Sequence, residues 1–187
     1  MNLIDKTYFV GEINIPNTDK EYISERLDFV IATRQKELLR DILGYPLYND
    51  FMTGIQEIAV EQKWNDLLNG ATYTWYSKTK KWDGFIVEDE FSSDTYTQSL
   101  IANYVYFHWI KDQQSQTVGL GEVASKAENA ENVSPAVKME RAWNQMSEWI
   151  YSLIEFLTAN KDTYSGWEQQ DVYCLKNKYR PINRFGF

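Results

Sequence analysis

Leu100-Ile101-Ala102-Asn103-Tyr104-Val105-Tyr106-Phe107-His108-Trp109-Ile110 is apolar on nearly every side when wound into a helix. Leu100, Ile101, Tyr104, Val105, Phe107, His108 and Ile110 recur at helical intervals, and a helix apolar all round belongs at the centre of a bundle. The reading is a long helix running to about Gln114 and capped by Ser92 or Ser93. Upstream, Ile23, Leu27, Val30, Ile31, Leu38 and Ile42 form the stripe of a helix over residues 19–43. Thr18 and Glu21 have capping-box spacing at its start. Gly44 suits its C-cap and Pro46 forbids continuation. The same proline fits the first turn of a short helix over 47–53. A further helix over 55–68, with Ile58, Trp64, Leu67 and Leu68 as its apolar members, stops at Asn69-Gly70. Downstream, Ser134-Pro135 opens a last long helix. Val137, Met139, Trp143, Met146, Ile150, Leu153, Ile154 and Leu157 carry it to Asn160.

The remaining stretches differ in kind. Thr72, Tyr73, Thr74, Trp75 and Tyr76 favour a strand, and Asp83-Gly84 is a two-residue hairpin signal. A hairpin over 71–91 centred there pairs Trp82 with Phe85, Lys80 with Val87, Lys78 with Asp89 and Tyr76 with Phe91. Residues 1–17 read as extended and end near Pro16. Residues 115–133 read as a long loop of a kind that is often functional. Its composition does not offset the entropy of ordering, so a neighbouring subunit is expected to order it through Val118, Leu120 and Val123. Residues 161–187 lack periodicity but hold Tyr164, Trp167, Tyr173, Tyr179, Phe185 and Phe187, too many aromatics for an inert tail. The expectation is one mainly α domain over 1–187. It is a bundle of four to five helices with a small β-hairpin and an extended C-terminal arm.

At 187 residues, 43% apolar and 25% charged, the chain is long enough for a single core and too apolar for disorder throughout. A net charge of -8 argues against wrapping a nucleic-acid backbone. One Cys excludes an internal disulfide framework and Cys-rich metal sites, and one His removes most metal chemistry. No apolar run approaches the ~20 residues that span a bilayer. The first twelve residues lack the basic-then-apolar design of a signal peptide. A soluble, intracellular domain is expected.

Catalytic candidates are few. His108 sits inside an apolar helix, where a packed core or interface histidine is the simpler reading. Cys174 lacks the signature of a cysteine hydrolase and a third orienting group. Glu88-Asp89-Glu90 offers oxygens to a hard cation but reads more simply as a solvated turn before a helix N-terminus. Gly119-Leu120-Gly121 lacks the strand, third glycine and lysine of a phosphate loop. The Trp and Met stripe of 139–157 reads as core rather than as a ligand box. No enzyme activity, cofactor or metal is expected.

Charge is segregated. Residues 176–187 carry Lys176, Lys178, Arg180 and Arg184 and no acid, so +4 sits on the arm and −12 on the other 175 residues. Docking of this arm on a neighbouring chain is expected, with Tyr179, Arg180, Arg184, Phe185 and Phe187 as anchors, because aromatics and Arg dominate interfaces. The alternative is that the arm folds back on its own body.

Several segments together resemble a known family. They are Leu38-Leu39-Arg40-Asp41-Ile42-Leu43-Gly44-Tyr45-Pro46-Leu47-Tyr48, Trp64-Asn65-Asp66-Leu67-Leu68-Asn69-Gly70, the aromatic helix from Leu100 to Trp109, Thr117-Val118-Gly119, Phe156-Leu157-Thr158-Ala159-Asn160-Lys161 and Asn183-Arg184-Phe185-Gly186-Phe187. The "ILGYPLY" knuckle from Ile42 to Tyr48 is the most specific. The pattern is similar to phage head–tail connector (adaptor, neck-ring) proteins of Bacteroidetes phages and prophages, the crAss-like phages included. The resemblance implies a helical bundle with a small β element, whose copies ring the neck beneath the portal and grip neighbours by loop or C-terminal arms. It implies as partners other copies of the chain, the portal and adjoining neck or tail proteins. DNA would pass through without specific binding, no membrane would be involved, and no cofactor. The location implied is the virion neck, after assembly in the host cytoplasm. A second reading is a non-enzymatic cytoplasmic helical protein-binding module, and a distant third is a small hydrolase.

Overall fold

The computed structural model describes residues 1–91, 94–118, 121–124, 135–167 and 172–183. The helices are α1 (Glu21–Leu43), α2 (Tyr45–Gly54), α3 (Gln62–Asn69), α4 (Leu100–Gln114), α5 (Ala136–Ala159) and α6 (Val172–Lys178). Strands β1 (Ala71–Trp75), β2 (Lys78–Trp82), β3 (Val87–Phe91), β4 (Asp94–Gln98), β5 (Ser115–Val118) and β6 (Gly121–Ala124) pair in sequence as three antiparallel hairpins. The chain is thus a mainly α bundle with small β elements. Its centre is α4, which packs against both α1 and α5. Leu100, Ile101, Tyr104, Val105, Tyr106 and Trp109 are all buried, as a helix apolar all round requires.

Several boundaries depart from the sequence reading, each for a local reason. The Thr18–Glu21 capping box does not form. Asn17 takes φ +61 and its carbonyl accepts the Lys20 N–H, so a tight turn occupies the place of the cap and α1 begins at Glu21. Gly44, at φ +75, ends α1 and opens α2 at one residue, with Pro46 in the new helix's first turn. The helix expected over 55–68 is confined to α3, and Ile58 is fully exposed. Residues 55–61 loop back instead, so that the Trp64 indole lies over Gly54. A Cβ on Gly54 would sit 2.0 Å from the indole nitrogen.

The expected hairpin is also relocated. Its turn is Tyr76-Ser77, both at positive φ, and the register is Ala71↔Trp82, Tyr73↔Lys80 and Trp75↔Lys78. Asp83-Gly84 makes no hairpin. It docks the chain on the end of α3, where Phe85 and Ile86 N–H groups donate to the carbonyls of Leu67 and Leu68. At φ +99, Gly84 passes so close that a Cβ would lie 2.6 Å from the Leu68 carbonyl oxygen. The pairs Trp82–Phe85, Lys80–Val87, Lys78–Asp89 and Tyr76–Phe91 are therefore not ladder pairs. Trp82 and Phe85 still meet, as edge-on rings 5.6 Å apart. β3 pairs forward with β4, with Val87↔Gln98, Asp89↔Tyr96 and Phe91↔Asp94. Residues 94–98 are strand, so the cap of α4 is Ser99, whose Oγ accepts the Ile101 N–H at 3.1 Å. Ser92, Ser93 and Ser134 lie outside the described residues.

The termini are stitched to the bundle. Residues 1–17 are not a strand. They form two 3-10 turns, Lys6–Tyr8 and Gly11–Ile13, and the segment as a whole buries Leu3, Ile4, Tyr8, Phe9 and Ile15. Where a loop was expected over 115–133, β5 and β6 form a hairpin in register Gln116↔Val123 and Val118↔Gly121. On α5, Met146, Ile150, Leu153 and Leu157 face the core, while Val137 points outward. A chain of rings joins the small elements to α5. Phe51 meets Trp64 and Phe85, Phe85 meets Trp82, Trp82 meets Phe156, and Phe156 meets Tyr73 and Tyr164. Aromatic donors close helix ends as well. Trp82 Nε1 donates to the Leu67 carbonyl of α3, and Trp167 Nε1 to the Ile42 carbonyl of α1.

Candidate interaction surface

The C-terminal segment runs back along α5, which holds it by its main chain. Tyr151 OH donates to the Lys176 carbonyl at 2.9 Å, Ser147 Oγ to the Tyr179 carbonyl, and Trp143 Nε1 to the Arg180 carbonyl at 2.9 Å. Asn144 grips Ile182 at two points: its Nδ2 donates to the carbonyl at 2.9 Å and its Oδ1 accepts the N–H at 2.8 Å. Positions 143, 147 and 151 are one helical turn apart, which lines the donors up beneath the strand of chain they hold. Tyr179 is 1% exposed and stacks on Trp143, and its hydroxyl donates to Asp41 Oδ2 at 2.6 Å. Lys178 Nζ pairs with the same carboxylate at 2.8 Å.

This places the expected arm anchors. Tyr179 is a core residue of its own chain, and the arm folds back as far as Ile182, so Tyr179 is not available to a neighbour. Arg180 gives its carbonyl to Trp143 but keeps an exposed side chain. Arg184, Phe185 and Phe187 lie outside the described residues, as does Leu120 of the loop set. Val118 and Val123 fall on β5 and β6, with Val123 opposite Gln116.

Beneath the strap runs a polar seam between α1 and α4. Arg34 pairs with Glu37 at 2.8 Å and with Asp112 at 3.9 Å. Burial opposes ionisation of Glu37, but the Arg34 hydrogen bond and charge prevail and hold its carboxyl below the usual range. Burial, then the Glu37 and Asp41 charges, push the Tyr104 and Tyr179 phenols well up. His108 lies edge-on to Tyr104, with ring centroids 4.5 Å apart. Burial and the Arg34 charge lower its pKa to about 4, so it is a neutral packed imidazole at pH 7.

The other sequence candidates are scattered. Cys174 is exposed on α6. Glu88, Asp89 and Glu90 belong to β3 rather than to a turn. Gly119 lies outside the described residues, while Gly121 opens β6. Among the described residues no three His, Cys, Asp or Glu side chains gather as a metal site. No described helix is long and apolar enough to cross a membrane. A groove of about 510 Å³ opens between the N-terminal turns, the end of β4, the start of α4 and the middle of α5, lined by Tyr8, Val10, Ile13, Thr97, Asn103 and Gln145. Its floor is an amide chain in which Asn103 donates to Gln145 and Gln145 to Gln98.

Sequence reasoning passed over the polar line Trp143, Asn144, Ser147 and Tyr151 beside the apolar stripe of α5. Its signal was present as hydrogen-bonding groups one turn apart on a core helix. It also passed over two exposed faces. On α1, Tyr22 and Phe29 are 66% and 71% exposed, flanked by exposed Glu21, Glu25 and Asp28. On α6 and just beyond, Tyr173 is 78% exposed, and Lys176 and Arg180 are exposed as well.

No curated protein and no solved structure matches the chain. The family of unknown function DUF6712 matches residues 39–177, from the knuckle that ends α1 through most of α6. With well over half of its 187 residues matched, the chain belongs to the DUF6712 family.

Proposed function

We propose that this chain is a structural protein of a phage particle. It forms a ring in the neck between portal and tail, around the channel through which DNA passes. The observation that carries this reading is the distributed likeness to head–tail connector proteins, centred on the Ile42-to-Tyr48 knuckle. That knuckle folds here as a helix junction closed by Gly44. Two further observations support it. A body at −12 outside residues 176–187 suits a wall past which phosphates slide without being gripped. The strap laid on α5 holds a basic, aromatic surface in a fixed place, as an assembly contact needs. The partners are then other copies of the chain, the portal and the adjoining neck or tail proteins.

Electron microscopy of particles assembled with and without the chain tests this reading. A ring of density at the portal exit that appears only with the chain is the expected result. Intact, tailed particles formed without it would overturn the reading. The amide-floored groove favours a second reading, a helical protein-binding module that takes an extended peptide. A chain that stays monomeric beside purified portal and captures a defined peptide in that groove would favour it instead.

A further inference from the structure

Two exposed faces of this molecule are complementary to each other and not to themselves. The first lies on the outer side of the N-terminal half of α1. Tyr22 and Phe29, seven residues apart, stand one above the other on that side. Glu21, Glu25 and Asp28 line one flank. On the other flank Arg26 stays exposed, with its guanidinium 5.3 Å from the Trp109 ring centroid, so three acids outnumber one base here. The second face is the outer side of α6. Leu175 and Tyr179 point into the core, while Tyr173, Lys176 and, two residues beyond the helix, Arg180 are exposed, with Lys176 Nζ 5.8 Å from the Tyr151 ring centroid. No acid occurs from Val172 to Asn183. One face is aromatic and acidic, the other aromatic and basic.

The two faces cannot meet within one chain. α6 is tied to the last turn of α1 through Asp41. Phe29 and Tyr22 precede Asp41 by twelve and nineteen residues, which is about 18 Å and 28 Å along a straight helix axis. Both faces sit on packed helices, so a hinge does not bring them together.

We infer that the α6 face of one copy docks on the α1 face of the next. Tyr173 packs beside Tyr22 and Phe29, and Lys176 and Arg180 meet Glu21, Glu25 and Asp28. The aromatics supply burial, and the charges set partner and register. Because the two faces differ, the contact is heterologous and repeats head to tail, closing into a ring where the rotation allows. This inference rests on the neck-ring reading and names the surfaces through which such a ring would form.

The chain's one cysteine makes the test direct, because Cys174 adjoins Tyr173. In the full chain, E25C adds a thiol to the α1 face. E57C adds one to the exposed loop after α2 as a control. A short bis-maleimide is expected to link E25C into a ladder of dimers, trimers and larger species. Wild type, with one thiol, stops at dimers, and E57C gives no ladder. Adding K176E and R180E to E25C should slow the ladder at least about tenfold. Mixing that variant with E21K/E25K chains that carry a cysteine at position 28 should bring the ladder back, because each reversed face then meets its opposite. Circular dichroism confirms that each variant is folded. Equal linking of E25C and E57C, or indifference to charge reversal, overturns the inference. If E25C ladders as described but the chain never enters particles, the neck-ring reading fails and the pairing of faces stands. If wild type enters particles and E25C forms no ladder there, the reverse holds.

Discussion

The two ends of the chain are both fastened to the bundle, but by different physics. The N-terminal segment is held mainly by apolar burial of Leu3, Ile4, Tyr8, Phe9 and Ile15, with Gln35 accepting the Leu3 N–H at 2.7 Å and donating to the Met1 carbonyl, and an exposed ion pair at 2.8 Å from Glu12 to Arg141 of α5. The C-terminal segment is held by side chains of α5 that bond its main chain, with Tyr179 as its deepest plug. Burial is non-directional and scales with area, whereas hydrogen bonds fix register. The first end therefore contributes mainly stability, and the second mainly placement of the surface it carries.

The largest expected effect comes from the N-terminal end. Deleting residues 1–9 removes four buried apolar side chains, each worth about 1.5–3 kcal/mol. The total is comparable to the stability of a whole domain. Guanidinium unfolding should lose its cooperative transition, and a truncated chain that unfolds like wild type would break the comparison. Next is Tyr179→Ala, expected to cost about 3–5 kcal/mol for a buried aromatic. Tyr179→Phe, which removes only the bond to Asp41, should cost about 1–2 kcal/mol.

These expectations also mark how far the sequence could be read. The positions of α1, α4 and α5 were legible because their apolar periodicity is long and dictated by their own residues. The hairpin was misplaced because Asp83-Gly84 has the conformational freedom of a turn but spends it passing close to the end of α3. The actual turn, Tyr76-Ser77, carries no local signal. Tyr179 was misassigned for a related reason. Charge and aromatic content say that a segment wants a surface, but not whose, and its partner Asp41 lies 138 residues away. The interaction surface was thus visible in composition and invisible in location.

A third expectation concerns pH. Folded His108 has a pKa lowered to about 4, against 6.5 for the ordinary side chain. As pH falls, the unfolded chain takes up the proton first. The stability linked to the neutral ring is therefore complete above pH 6.5 and declines as pH drops from there toward 4. With a discount for partial exposure the effect is about 2 kcal/mol. Denaturation midpoints of wild type and His108→Asn should converge over that window. Parallel curves would mean that the imidazole beside Tyr104 is not held neutral by its packing. The smallest effects sharpen the contrast between the two ends. Asn144→Ala should cost about 1–2 kcal/mol, because two bonds to Ile182 are lost. Lys176→Ala should cost less, about 0.5–1 kcal/mol, because α5 holds its carbonyl and the ammonium adds only an exposed contact, 5.8 Å from the Tyr151 ring centroid. If Lys176→Ala costs more than Asn144→Ala, the segment is fastened by its side chains and the distinction fails.

The grip of Trp143, Asn144, Ser147 and Tyr151 on backbone atoms has an evolutionary corollary. Every chain has carbonyls and amides, so this fastening is nearly blind to which side chains stand at positions 176, 177, 180 and 182. Those positions can change charge or shape without loosening the strap, while Tyr179 and Leu175 stay fixed by the core. A lineage that faces a new partner can rewrite the outward text of this segment one letter at a time, and the fold that displays it does not have to be rebuilt.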